Sequence, residues 1–145
     1  MNQPSDLMKL YSTRILALAA EIPRTERLEA PDATVRKRSP LCGSTVTVDI
    51  VVKDGKISDF GQDVKACALG QASASVMGEH AVGLTLQDIR AARNALHDML
   101  KSSGPVPPPP FEALEVLQPA ADYKNRHASI LLAYDATLEA MESLE

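Results

Sequence analysis

The chain has 145 residues, 45% of them hydrophobic and only 3% aromatic, with no Trp. That is enough apolar chain for one domain with a largely aliphatic core. A formal net charge of −4 and a pI near 5.4 argue against non-specific binding to nucleic acid or to an anionic membrane, and no run reaches the ~18–20 apolar residues of a membrane-spanning helix.

The N-terminal ILALAAE is broken by Glu21 too early for a secretory core. The expected location is therefore the cytoplasm, where two cysteines serve as thiols or metal ligands rather than as a structural bridge. Ser5 is placed to cap a first helix whose apolar positions Leu7, Tyr11, Ile15, Leu18 and Ile22 step by three or four, and Pro23 stops it. ATVRKRS (33–39) reads as a short edge strand. Its Arg36, Lys37 and Arg38 guard that edge or form a docking patch for an acidic partner.

In STVTVDIVV, Val46, Val48, Ile50 and Val52 alternate with Thr45, Thr47 and Asp49, the period of a half-buried strand. Asp54-Gly55 supplies a tight hairpin turn, and KISDFGQDVKA returns as a second long strand with Gly61 marking a bulge. Three antiparallel strands follow from this.

Beyond Ala66 the pattern is helical apart from SSGPVPPPP (102–110), a stiff proline connection inside a single domain, 1–145. Thr85 and Asp88 form a capping box, with Asp in place of the usual Glu or Gln. The helix they open runs to about Lys101 and turns Leu86, Ile89, Leu96 and Leu100 inward. Phe111 to Leu117 reads as a short helix ended near Pro119. Asp122 is placed to cap the last helix, with Ile130, Leu131, Tyr134, Leu138 and Met141 as its apolar stripe. The fold class is α+β: a three-stranded antiparallel sheet with helices packed on one face.

Three residues could carry chemistry. Cys42, in SPLCGS, precedes the central strand on a tight, partly exposed turn, and Cys67 ends the return strand where a helix begins. A hairpin turning at Asp54-Gly55 brings its two ends, and so the two cysteines, close together. A thiol at a helix N-terminus feels the positive end of the macrodipole, which favours the metal-binding thiolate. The small residues Ala68, Gly70, Ala72, Ser73, Ala74 and Ser75 let neighbouring backbone approach that helix. His127 precedes Ile130, Leu131 and Tyr134 on one face of the last helix. It is either a hydrogen-bonded core histidine or a third ligand.

These residues resemble the U-type iron–sulfur cluster assembly scaffolds, the NifU N-terminal, IscU and SufU group. SPLCGSTVTVDIVVKDGKISDF is similar to the family's first ligand cysteine leading into the hairpin, CALGQASASVM to its second cysteine, and RHASILLAYDA to the helix that carries its third. The long connection 102–119 resembles the SufU branch. The resemblance implies a site at one end of the sheet for Zn²⁺ or a nascent [2Fe–2S] cluster. It also implies a cysteine desulfurase and apo iron–sulfur acceptor proteins as partners, with no nucleic acid and no membrane. It matches Cys42 and Cys67 to the first two ligands, with His127 as a further candidate. Ser44 stands where the family has Asp, and Ala128 where it has the third cysteine, so both line the site without supplying the usual donors. The third cysteine is also a sulfur acceptor in the family, and its absence argues against sulfur transfer. Three functions stay open: a scaffold holding iron, zinc or a labile cluster, a scaffold-fold module that docks on or regulates a desulfurase, and a zinc-dependent sulfurtransferase.

Overall fold

The computed structural model describes residues 11–145; Ser5 and Leu7 lie outside the described residues. Within them the first helix, α1, is Thr13–Ala20, capped by Ser12, whose Oγ accepts from the Ile15 N–H at 3.3 Å. Ile15 is its one fully buried side chain, while Tyr11 is exposed.

The sheet has the expected three antiparallel strands, β1 Ala33–Arg38, β2 Thr45–Lys53 and β3 Lys56–Lys65, in the order β1-β2-β3. Asp54 and Gly55 make the two-residue turn with φ of 54° and 77°, the left-handed pair that matches the twist of a tight hairpin. The expected bulge at Gly61 is corrected: Gly61 sits in register opposite Asp49, and the register shift falls between Val51 and Val52. Glycine is needed at 61 because the chain passes over it, and a Cβ there would collide with the Glu26 carbonyl. Close backbone approach and a bulge leave the same mark in a sequence.

β2 is not half-buried as its alternation suggested. Val46, Val48 and Ile50 face the helices, yet Thr47 and Asp49 are buried as well. The segment 24–28 closes over this second face, anchored where the Gln62 N–H donates to the Arg24 carbonyl at 2.9 Å. The buried Asp49 carboxylate accepts from the Arg27 guanidinium, the Leu28 N–H (3.1 Å) and the Thr34 hydroxyl (2.6 Å). Burial alone would raise its pKa, but these donors and the Arg27 charge hold it below the ordinary value.

Three longer helices build the other layer: α2 Ala68–His80, α3 Leu86–Lys101 and α4 His127–Glu142. The Thr85–Asp88 capping box is present in both directions, at 3.2 and 3.0 Å, and Ile89, Leu96 and Leu100 are buried. α4 lies between the sheet and α2 and α3, so it is buried on nearly every side. The small residues of α2 make this possible: Ser73 Oγ donates to the Ile130 carbonyl at 2.7 Å, and the Tyr134 hydroxyl donates to the Ser73 carbonyl at 3.2 Å.

Two expectations about the connection to α4 are corrected. The segment after Phe111 is 3₁₀ rather than α and runs on through Pro119, as Glu112–Asp122. The fixed φ of proline suits a 3₁₀ turn, so Pro119 does not stop it. A second short 3₁₀ piece, Lys124–Arg126, follows, and α4 begins at His127 with no side-chain cap. Asp122 lies five residues upstream of that start, too far to reach its free N–H groups.

Candidate functional site

The hairpin and the two helix starts bring four small polar side chains to one end of the sheet. Cys42 is exposed on the turn between β1 and β2, and that turn is closed by backbone bonds between Ser39 and Ser44 and between Gly43 and Ser39. Gly43 at φ 72° turns the chain sharply just after the thiol. Cys67, half-buried, is the N-cap residue of α2, and its side chain makes no capping bond. Ser129 enters from the first turns of α4.

A continuous chain of contacts connects the sulfurs. Cys42 Sγ lies 3.1 Å from Ser44 Oγ, Ser129 Oγ donates to Ser44 Oγ at 3.0 Å, and Cys67 Sγ lies 3.5 Å from Ser129 Oγ. The Cys42 thiol also donates to Oγ of the buried Ser39 at 3.4 Å. The site reaches this density because position 70 on α2 is glycine: a Cβ there would come within 2.7 Å of Ser129 Oγ. For Cys42, partial burial favours the thiol. Hydrogen bonds from Ser39, from the Ser44 side chain and backbone, and from Ser129 outweigh it and bring the pKa to about 7. A substantial fraction is thus thiolate at neutral pH.

His127 does not join them. Its ring is buried, and Nε2–H donates to the carbonyls of Ala120 and Ala121 at 2.9 and 3.1 Å, at the end of the 3₁₀ segment, where the Ala120 carbonyl also accepts from the Tyr123 N–H. Nδ1 is buried without a partner among the described residues. Burial and the charges of Lys101 and Lys124 depress its pKa against the opposing pull of the two carbonyls. The expected meeting of Cys42, Cys67 and His127 is therefore corrected: no three His, Cys, Asp or Glu side chains among the described residues could hold one metal ion. The ring does face inward as its helical position implied, but towards the Ala120 and Ala121 carbonyls. Ala128 is half-buried in the same turn and contributes no donor. Ser44 Oγ adjoins Cys42 Sγ and Ser129 Oγ.

Ser129 and Ser39 are the site residues that sequence reading missed. The available signal for Ser129 was a serine set directly before the apolar run of α4, two positions after the histidine. No helix among the described residues is long and apolar enough to cross a membrane.

Residues 10–129 match the NifU-like N-terminal domain. The chain belongs to the NifU-like N-terminal domain family. The N-terminal domain of a nitrogen-fixing NifU-like protein from Brucella abortus has a similar structure, with a TM-score of 0.93 and 44% identity over 97% of this chain and 99% of that one. A putative iron–sulfur cluster assembly scaffold protein for the SUF system, from Fervidobacterium islandicum, shares the fold at a TM-score of 0.81 and 21% identity, covering 92% of this chain and 98% of its own. Among curated NifU-domain relatives, the chain is 25% identical to the iron–sulfur cluster assembly scaffold protein IscU of Thermotoga maritima, over 93% of this chain and 94% of that protein. It is 27% identical to IscU 1 of Archaeoglobus fulgidus over 63% of this chain, a match that spans only 60% of that relative's length.

Proposed function

We propose that this chain works in iron–sulfur cluster assembly as a scaffold-like carrier. Its cargo would be iron, zinc or a labile [2Fe–2S] cluster held by Cys42 and Cys67. A cysteine desulfurase would supply its sulfur, and apo iron–sulfur proteins would receive the cargo. One observation carries this reading: on a NifU-type fold, the two cysteines from opposite ends of the hairpin are tied into one hydroxyl-bridged constellation. Two soft sulfurs, one with its pKa lowered to about 7, suit iron or zinc. Without a third thiolate, a carboxylate or the His127 imidazole, the donor set fits a cargo that is held weakly and given up readily. The exposed turn carrying Leu41 and Cys42 leaves the site open to a partner.

Anaerobic reconstitution with ferric iron and sulfide, followed by elemental analysis, tests this. The expected result is a [2Fe–2S] absorption spectrum in the wild type that is lost in Cys67→Ala. A wild type that takes up no iron, zinc or cluster, or an unchanged spectrum in Cys67→Ala, rejects the reading. A second reading, a docking module without cargo, is favoured by Leu41, 72% exposed beside Cys42, and by the absent third cysteine. It predicts desulfurase binding that is indifferent to replacement of both cysteines. A third, the zinc-dependent sulfurtransferase, draws on the exposed, acidified Cys42. Its thiolate would attack the outer sulfur of a donor persulfide, the S–S bond would break, and the donor would leave as a thiolate. It requires one added sulfur atom on Cys42 in intact-mass spectra.

A further inference from the structure

We propose that the outer face of the sheet, at the end where Cys42 sits, is a docking surface for an acidic segment of a partner protein, held by Arg36, Arg38 and Lys65. The surface does not depend on what the cysteines hold.

β1 splits its cationic run between two sides. Alternation sends Lys37 towards the helix layer, where its Nζ lies 2.8 Å from a carboxylate oxygen of Glu139 on α4. Arg36 and Arg38 point the other way and are exposed. Register carries this outward side across the sheet. Arg38 stands opposite Thr45, and Thr45 opposite Lys65; Arg36 stands opposite Thr47, and Thr47 opposite Asp63. Side chains directly opposite share a face, and this is the face of Asp49, away from Val46, Val48 and Ile50.

The segment 24–28 covers that face over Asp49 and Gly61. Towards the cysteine end the cover stops: Thr45 is half-buried, and Lys65 is exposed with the two arginines. None of these three cations forms an ion pair among the described residues. Asp63, the carboxylate in these rows, adds to the field of Asp49 around Arg27. The two rows therefore hold an excess of positive charge on a chain whose net charge is −4. The patch also reaches the cysteine turn, since a Cβ placed on Gly43 would lie 3.8 Å from the Arg38 guanidinium.

The spacing suits carboxylates. Arg36 and Arg38 are two residues apart on one strand, about 7 Å, and Lys65 lies two strands from Arg38, about 10 Å. Carboxylates on alternate residues of a β-like segment repeat the first interval, and each arginine fork takes one through two parallel N–H···O bonds. A long polyanion or an anionic bilayer would also meet the net-negative remainder of the chain, whereas a short acidic stretch of protein needs only this patch.

A fluorescein-labelled peptide of alternating Glu and Thr is the probe, read by anisotropy with the full chain. The wild type should bind it, and binding should weaken as salt rises. Arg36→Ala, Arg38→Ala and Lys65→Ala should each weaken it roughly 3-fold, and Arg36→Glu combined with Arg38→Glu should abolish it. Lys53→Ala and Lys56→Ala, at exposed cations on the far end of the same sheet, should leave it unchanged. Circular dichroism checks each fold; if the double reversal disturbs it, the alanine variants decide alone. A wild type that does not bind the peptide, or equal losses at both ends of the sheet, overturns the proposal. Equally tight binding of phosphatidylglycerol vesicles or of duplex DNA overturns it too, assigning the patch to lipid or nucleic acid. Serine at positions 42 and 67 should not change peptide binding, so reconstitution decides the carrier reading separately.

Discussion

At Cys42 two influences oppose one another. The surrounding protein disfavours a charge there, while Ser39, Ser44 and Ser129 supply hydrogen bonds that an anionic sulfur accepts, and the balance sets the pKa near 7 against an ordinary 9.0. Alkylation of Cys42 by iodoacetamide, followed by mass spectrometry across pH, should therefore show a midpoint near pH 7. Ser44→Ala should move it upwards, and a midpoint that stays in place shows that the hydroxyl does not act on the sulfur. The sign for stability follows: with the folded-state pKa lowered, Cys42 lends its full contribution above about pH 9 and loses it as pH falls through about 7. Both cysteines were legible from their place at the two ends of a hairpin. Ser129 was not, because α4 is buried on nearly every side and apolar periodicity picks out no face. The direction of the His127 ring depends on carbonyls at the end of a 3₁₀ segment whose geometry sequence pattern does not encode.

Among the elements, the segment 24–28 has the largest structural effect for its length. By lying over the second face of β2 it buries Asp49 and leaves residues 46–50 of an alternating strand buried on both faces. The contact at Gly61 holds it close, so Gly61→Ala should force the two backbones apart and cost about 1–3 kcal/mol. Urea unfolding measures this, and an unchanged midpoint would show that the segment can shift freely. The strands, the Asp54-Gly55 turn and the Thr85 capping box were all readable, since each depends on local chemistry at fixed spacing. The cover over Asp49 was not readable, because it joins residues 21 and 22 positions apart through a charge pair and a backbone donor. α and 3₁₀ were confused after Phe111 because both accept the same apolar spacing over so short a stretch.

On the scale of the whole molecule, the core and the site are largely separate. The buried cluster is built from aliphatic residues of β2, α2, α3 and α4, while Cys42 is exposed and Cys67 is only partly packed against it. Replacing both cysteines with serine should shift stability by no more than about 0.5 kcal/mol per site, as judged by thermal unfolding, while abolishing cargo binding. A large loss would mean that the thiols serve the fold. This separation explains why the α+β architecture was readable as a whole when Ser39 and Ser129 were not: the core follows from hydrophobic pattern, the site from contacts between distant segments.

The two margins of the sheet differ. β3 is sealed on its outer side, where Gln62 bonds to Arg24, Ile57 to Leu84 and Gly83 to Ile57. Among the described residues, the backbone hydrogen bonds of β1 run only to β2 and its flanks. Any extended peptide that joined this sheet, from a second copy or a client, would have to align along Arg36 and Arg38, where two outward cations disfavour self-assembly of like chains and leave a negatively charged strand as the more compatible guest.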